Sequence, residues 1–163
     1  MNSTAAGDYE LALSYAVRYL GYAARTRKQL RDKMTEKEFS DEAIHAVMQL
    51  LTEKGYLDDI AFAQNYIAAK TRYNNYGRRR IVVGLMQKGV GKEDIQAAYS
   101  AYLEQDNENE ELEAARRALS KRVAKRVNHE RHEKHEKEKL VAYLMRRGFS
   151  YDVIKKAMEN QEL

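Results

Sequence analysis

Apolar residues recur along this chain every three or four positions, the spacing that places them on one face of an α-helix. The clearest pattern occurs three times in the same register, in LRDKMTEKEFSDEAI (30–44), IVVGLMQKGVGKEDI (81–95) and LVAYLMRRGFSYDVI (140–154). Within each copy one apolar stripe ends and a second begins near the middle, which indicates two helices that meet at a tight turn. The chain is therefore a tandem repeat.

The turn between the paired helices contains glycine in the second and third copies, at Gly89 and Gly148. Glycine suits a helix end because it adopts a positive φ without steric cost. The first copy has Glu38 at this position, where a positive φ would cost about 1 kcal/mol. We expect either strain or an altered cap at Glu38, followed by a helix that Ser40 caps.

Each helix pair follows a further amphipathic segment, so the repeating unit has three helices. These segments run from Tyr9 to Tyr22, from Asp58 to Tyr73 and from Glu108 to about Arg126. The sequence predicts an all-α fold of three tandem three-helix repeats with helix-turn-helix-like units. Because a unit of about 50 residues is marginal alone, the units should stack into a curved, elongated array. The predicted boundaries are a disordered N-terminus at 1–8 and repeats at 9–55, 56–104 and 105–160.

Composition narrows the class of protein. Proline and cysteine are absent, which favours helix and excludes disulfides and thiolate metal sites. No apolar stretch approaches the ~18 residues of a membrane span, and the N-terminus lacks the basic and apolar segments of a secretion signal. We expect a cytoplasmic monomer that uses no cofactor or metal and contacts no membrane.

Cations cluster where helix formation does not favour them. The formal net charge is +4, yet residues 70–92 contain seven cations and no carboxylate. Arg78, Arg79 and Arg80 open a predicted helix, whose N-terminus disfavours each cation by about 0.3–1 kcal/mol. A bound anion would offset this cost, because free backbone N–H groups and arginine forks both bind phosphate or carboxylate. The alternative is a solvated basic face paired with glutamates from elsewhere in the chain.

The first repeat has cations at the aligned positions, Arg27 and Lys28, behind a predicted capping box of Thr26 and Gln29. Tyrosines interleave with the cations of the second repeat, and this mixture can stack bases beside phosphates. More often such tyrosines line a core. The candidate residues for binding an anionic partner are Arg25, Arg27, Lys28, Arg72, Tyr73, Tyr76, Arg78, Arg79 and Arg80.

Two motifs in this order, GYLDDIAFAQNYI (55–67) and YGRRRIVVGLMQKGV (76–90), make the chain similar to the RecX regulatory proteins. The resemblance covers about residues 16–158 and includes the threefold unit. Glu38 and the highly charged segment 121–139 depart from the family's pattern, and the second leaves the start of the third repeat's middle helix open.

The resemblance implies an all-helical protein that modulates the RecA recombinase in homologous recombination, DNA repair and the SOS response. Family members are described as binding in the groove of the RecA filament on single-stranded DNA, where they restrain its ATPase and strand exchange. No catalysis is implied. Under the resemblance, the matching motif positions for partner contact are 76–80, whereas 55–59 and Phe62 are expected to be structural. Single-stranded DNA is a second partner to consider.

A helix-turn-helix protein that binds duplex DNA is the alternative function. It requires a basic, amide-rich face on the third helix of a unit. In the first two repeats that helix instead begins with the acidic pairs Asp41–Glu42 and Glu93–Asp94, which would repel phosphate.

A metalloenzyme built on His129, His132 and His135 is a third possibility. In a regular helix this spacing turns the outer two histidines about 120° apart, so all three cannot ligate one ion. The spacing also misses the H-E-x-x-H pattern by one residue, and the alternating Glu and Lys around it suggest a solvated helix face. The role of this segment stays open, and the sequence contains no phosphate loop or catalytic triad in a recognisable context.

Overall fold

The computed structural model describes residues 3–105, 109–124 and 133–159. Within these residues the chain forms nine α-helices and no strand, and the helices group into three consecutive three-helix repeats. This confirms the predicted all-α fold with tandem three-helix repeats. The helices are α1 (Ser3–Tyr22), α2 (Arg27–Glu36), α3 (Asp41–Glu53), α4 (Asp59–Arg72), α5 (Arg78–Gln87), α6 (Lys92–Leu103), α7 (Glu110–Ala124), α8 (Glu133–Arg146) and α9 (Tyr151–Glu159).

The first helix begins earlier than the sequence indicated. Its start is Ser3, whereas the apolar pattern placed it at Tyr9 and assigned residues 1–8 to a disordered N-terminus. The Asp8 carboxylate accepts hydrogen bonds from the backbone N–H of Ser40, at 3.0 Å, and from its hydroxyl. These bonds lower the pKa of Asp8. The spacing of apolar residues does not reveal a polar contact between residues so far apart in sequence, so it could not predict this one.

The cores of the first and third repeats contain the residues that the aligned pattern selected. Leu30, Met34, Ile44 and Met48 are buried in the first repeat. In the third repeat the equivalent residues pack against the small side chains of α7, which allow α7 and α9 to approach closely. That cluster consists of Leu140, Leu144, Phe149 and Ile154 with Ala114, Ala115, Ala118, Leu119 and Ala157.

The turns also follow the predicted geometry. Gly89 and Gly148 have φ values of 85° and 91°, and Glu38 has a φ of 60°. Glu38 is exposed, so its side chain meets solvent rather than packed neighbours. Ser40 caps α3 by accepting a hydrogen bond from Ala43 N–H at 3.3 Å.

The start of the third repeat's middle helix differs from that of the other two. The alignment placed Lys137 level with Arg27 and Arg78, which are the first residues of α2 and α5. Helix α8 is already formed at Glu133, so Lys137 lies at least one turn inside it. Residues 128–139 include no apolar residue that could mark the boundary in the sequence.

The chain divides into two compact units, residues 1–63 with 85–97, and residues 64–84 with 98–163. The first unit contains the first repeat and part of the second. The other unit contains the rest of the second repeat and the third. Each unit therefore includes one junction between consecutive repeats.

Candidate partner-binding surface

The backbone at the start of α5 is bonded within the chain. Gly77 N–H donates to the Arg147 carbonyl at 2.9 Å, and Arg79 N–H donates to the Gly148 carbonyl at 3.1 Å. Arg78 N–H donates to Glu111 Oε1 at 2.8 Å. The sequence suggested that these N–H groups were free for an outside anion, and this is wrong. The carboxylate that complements the helix dipole comes from α7 of the next repeat.

The start of α2 is bonded in the same way. Arg27 N–H donates to Asp59 Oδ1 at 2.9 Å, and the Thr26 hydroxyl donates to the Lys88 carbonyl at 2.6 Å. The predicted capping box of Thr26 and Gln29 is present. In both junctions, a carboxylate and a turn carbonyl of the later repeat thus meet the first turn of the earlier repeat's middle helix.

Close approach at these junctions requires glycine. A Cβ on Gly148 would lie 2.4 Å from Arg80 N and 2.6 Å from Arg80 Cβ. A Cβ on Gly89 would lie 2.3 Å from Lys28 Cδ, and one on Gly77 would lie 2.4 Å from Phe149 N. Such distances are far below van der Waals contact. Gly77 and Gly148 therefore let two repeats touch through their backbones, whereas Gly89 lets the backbone of its turn lie against the Lys28 side chain.

The side chains of the three arginines are held differently from their backbone. None of Arg78, Arg79 and Arg80 forms an ion pair with a carboxylate in the described parts of the chain. The Arg78 guanidinium lies 4.5 Å from the centre of the Tyr99 ring. The Tyr99 ring is a neutral phenol at physiological pH, and burial raises its pKa further above its usual value. A neutral ring face of this kind attracts a guanidinium.

Arg80 stacks on Tyr76 with its guanidinium carbon 4.1 Å from the ring centre, and its Nη1 donates to the Arg146 carbonyl at 3.4 Å. Arg79 is exposed, and among the described residues its side chain has no hydrogen bond, ion pair or ring contact. A stacked guanidinium keeps N–H groups at its edge, so all three arginines can still donate to phosphate or carboxylate.

The other candidates of the second repeat surround this cluster. Tyr73 is 81% exposed at the end of α4. Arg72 Nε lies 3.9 Å from Glu110 Oε2. Tyr76 is half-buried, between the guanidinium groups of Arg80 and Arg147. Tyr73 and Arg79 therefore offer the most accessible groups in this cluster.

The candidates of the first repeat lie in the other compact unit. The Arg25 guanidinium lies 4.9 Å from the centre of the Tyr19 ring. Arg27 is exposed, and Lys28 pairs with Asp32 on the same helix. Arg27 is thus the exposed cation of this group for which the described residues show neither a ring contact nor an ion pair.

Two residues of the third repeat that contact the candidate surface were missed by sequence analysis. Arg147 and Arg117 both bond to the segment between α4 and α5, which carries Tyr73 and Tyr76. Arg147 aligns with Lys88, but its role follows only from the contact between repeats. The Asn74–Asn75 pair was a turn signal that could have drawn attention to this segment.

The described part of the chain holds no group of three His, Asp or Glu residues placed to bind a metal ion. The side chains of His129, His132 and His135 lie outside the described residues. Among the helices described, none combines the length and apolar character needed to cross a bilayer.

Comparison with known proteins matches each repeat to a domain of one family. The first, second and third three-helix domains of RecX match residues 12–51, 58–98 and 109–158. The regulatory protein RecX of Prosthecochloris aestuarii is 34% identical over 152 residues, which cover 93% of this chain and 94% of the relative. The chain belongs to the RecX family.

Other RecX relatives differ in length. The regulatory protein RecX of Clostridium acetobutylicum is 32% identical over 93% of this chain and 69% of its own length. That of Enterococcus faecalis is 30% identical, and this chain spans only 56% of it.

Solved structures agree in fold. The crystal structure of RecX from Lactobacillus salivarius superposes with a TM-score of 0.83, covering 94% of this chain and 96% of that one, at 24% identity. A second RecX crystal structure gives a TM-score of 0.83 at 26% identity and covers 95% of this chain and 75% of that one.

Proposed function

We propose that this protein is a non-catalytic regulator that binds the RecA filament on single-stranded DNA and restrains RecA ATPase and strand exchange in recombination and DNA repair. The observation that carries the proposal is the match of all three repeats, in order, to the three RecX domains. RecA acts on chromosomal DNA, so the proposed site of action is the cytoplasm. The protein would bind in the filament groove as a monomer.

The arginines at the start of α5 are the proposed contact. Their backbone is bonded internally while their guanidinium groups are unpaired with described carboxylates, so the side chains are available to a negatively charged partner. Tyr73 adds an exposed ring that can stack on an unpaired base. A filament on single-stranded DNA offers such bases together with phosphates and protein carboxylates. Contacts from more than one repeat would add through effective concentration.

The test measures RecA ATPase on single-stranded DNA while this protein is titrated. An Arg78→Ala, Arg79→Ala, Arg80→Ala triple variant should need at least about tenfold more protein for half-inhibition, because each lost charge-assisted bond is worth about 1.5–3 kcal/mol. The matched control replaces three exposed cations outside the surface, Arg31, Lys37 and Lys54, by alanine. Circular dichroism confirms that both variants are folded.

Two outcomes would refute parts of the proposal. If the wild-type protein leaves RecA ATPase unchanged at saturation, the proposed function is wrong. If the two triple variants inhibit equally, the function stands but the arginines are not the contact. A protein that reads duplex DNA would instead show strong sequence preference on naked duplex across a salt titration. The first turns of α3, α6 and α9 contain acidic residues that would repel DNA phosphates, so we do not expect that outcome.

A further inference from the structure

The segment between α4 and α5, residues 73–77, has an unusual conformation. Asn75 has a φ of 51°, in the left-handed region, and is only 3% exposed. Tyr76 N–H donates to the Lys70 carbonyl at 3.1 Å, which closes the end of α4. The conformation of this segment fixes where exposed Tyr73 stands relative to the start of α5.

Arg147, at the end of α8, holds this segment. Its Nη1 donates to the carbonyls of Asn74 and Asn75, at 2.6 and 3.0 Å. Its Nε donates to the Tyr143 hydroxyl at 2.8 Å. The guanidinium carbon also lies 5.5 Å from the centre of the Tyr76 ring. The guanidinium is thus half-buried and directed at the protein's own backbone and rings.

These contacts require the planar shape of a guanidinium as well as its positive charge. Two backbone carbonyls, a hydroxyl and a ring face are all satisfied by one planar group with several fixed donors. An ammonium has three donors around a point and presents no flat face. A lysine would therefore keep the charge and lose the geometry.

We propose that Arg147 is a positioning residue that holds the 73–77 segment, and thereby presents Tyr73 and Arg79 to the partner without touching the partner itself. The inference rests on the proposed function for its effect on binding. The third repeat would then act through the surface of the second. The neighbouring Arg146 provides a matched control, because its side chain is exposed and has no partner among the described residues.

The experiment compares Arg147→Lys with Arg146→Lys by two readouts. Hydrogen exchange in the free protein should become at least tenfold faster at the amides of Tyr76 and Gly77 in Arg147→Lys and stay unchanged in Arg146→Lys. Affinity for a RecA filament on fluorescent single-stranded DNA, measured by anisotropy, should fall at least fivefold for Arg147→Lys only. Tyr143→Phe removes the hydroxyl that orients Arg147 and should accelerate the same amides to a smaller extent, which keeps the test available if Arg147→Lys unfolds.

The exchange and affinity results together decide whether Arg147 positions the 73–77 segment, contacts the partner directly, or holds a segment that does not present the binding groups. Unchanged exchange in Arg147→Lys and Tyr143→Phe would overturn the proposal, whatever happens to affinity. Unchanged exchange with reduced affinity would make Arg147 a direct contact of the partner. Faster exchange with full affinity would show that the segment does not present the binding groups. If wild-type protein does not bind the filament, the proposed function fails, while the exchange data still decide whether Arg147 holds the segment.

Discussion

Replacing Gly148 by alanine should destabilise the protein strongly, because two separate costs fall on one residue. The φ of 91° costs an alanine about 1–2 kcal/mol. The new Cβ would also meet Arg80 N at 2.4 Å, and relieving such overpacking costs about 1–3 kcal/mol. The clashing atom belongs to the backbone of α5, so a side-chain rotation cannot relieve it. We expect the free energy of unfolding to fall by about 2–5 kcal/mol.

Two other glycines separate these costs. Gly55 has a φ of 74°, but no described atom lies within 4 Å of its would-be Cβ, so Gly55→Ala should cost only the conformational part, about 1–2 kcal/mol. Gly21 lies in α1 with the same open space and no positive φ, so Gly21→Ala should stabilise by about 0.4–1 kcal/mol. Urea unfolding followed by far-UV circular dichroism measures all three. Equal losses for Gly148→Ala and Gly55→Ala would refute the inference that the repeats touch through backbone at Gly148.

Three further predictions use the same urea assay. Glu38→Gly should stabilise by about 0.5–1 kcal/mol, because it removes a left-handed non-glycine residue at an exposed turn; a loss of stability would contradict this. Thr26→Ala should lower the free energy of unfolding by about 1–3 kcal/mol, because it removes both the helix cap and the hydrogen bond to the Lys88 carbonyl. Thr26→Ser should keep most of both interactions. Equal losses of stability in the two variants would exclude the hydroxyl as the cause. Burial raises the pKa of Asp59 above its ordinary value of 3.8, although its bond from Arg27 N–H opposes the shift. The folded state therefore binds this proton more tightly than the unfolded state does. As the pH rises from about 3.8 through the raised pKa, the free energy of unfolding of the wild type relative to Asp59→Asn should fall and then level off. A rise over that pH range would show that the hydrogen bond from Arg27 N–H outweighs burial in setting this pKa.

The sequence predicted the helices and their cores well because both depend on local spacing. Residues four apart share a helix face wherever the helix forms, so Leu30, Met34 and Ile44 could be assigned to a core without knowledge of the fold. The turn conformations at Gly89 and Glu38 followed from the same register. Each of these inferences spans fewer than about 20 residues, which is the range over which periodicity is informative.

The junctions could not be predicted, because their partners are distant in sequence. Glu111 lies 33 residues after Arg78, outside the stretch whose lack of carboxylates suggested an external anion. That reasoning counted only the carboxylates of the neighbouring sequence, whereas the carboxylate that accepts from Arg78 N–H comes from the next repeat. The contacts of Arg147 could not be predicted either, because they are made with Asn74 and Asn75 of the preceding repeat.

At the start of α5, the hydrogen bonds that folding requires are made by the backbone, which leaves the arginine side chains available for a partner. Glu111 and two turn carbonyls satisfy the main chain, so folding makes no requirement on the guanidinium of Arg79. Under the proposed function, a substitution of Arg79 alters recognition of the partner while it leaves the architecture intact. The charge at this position can therefore change without compensating changes in the cores of the repeats.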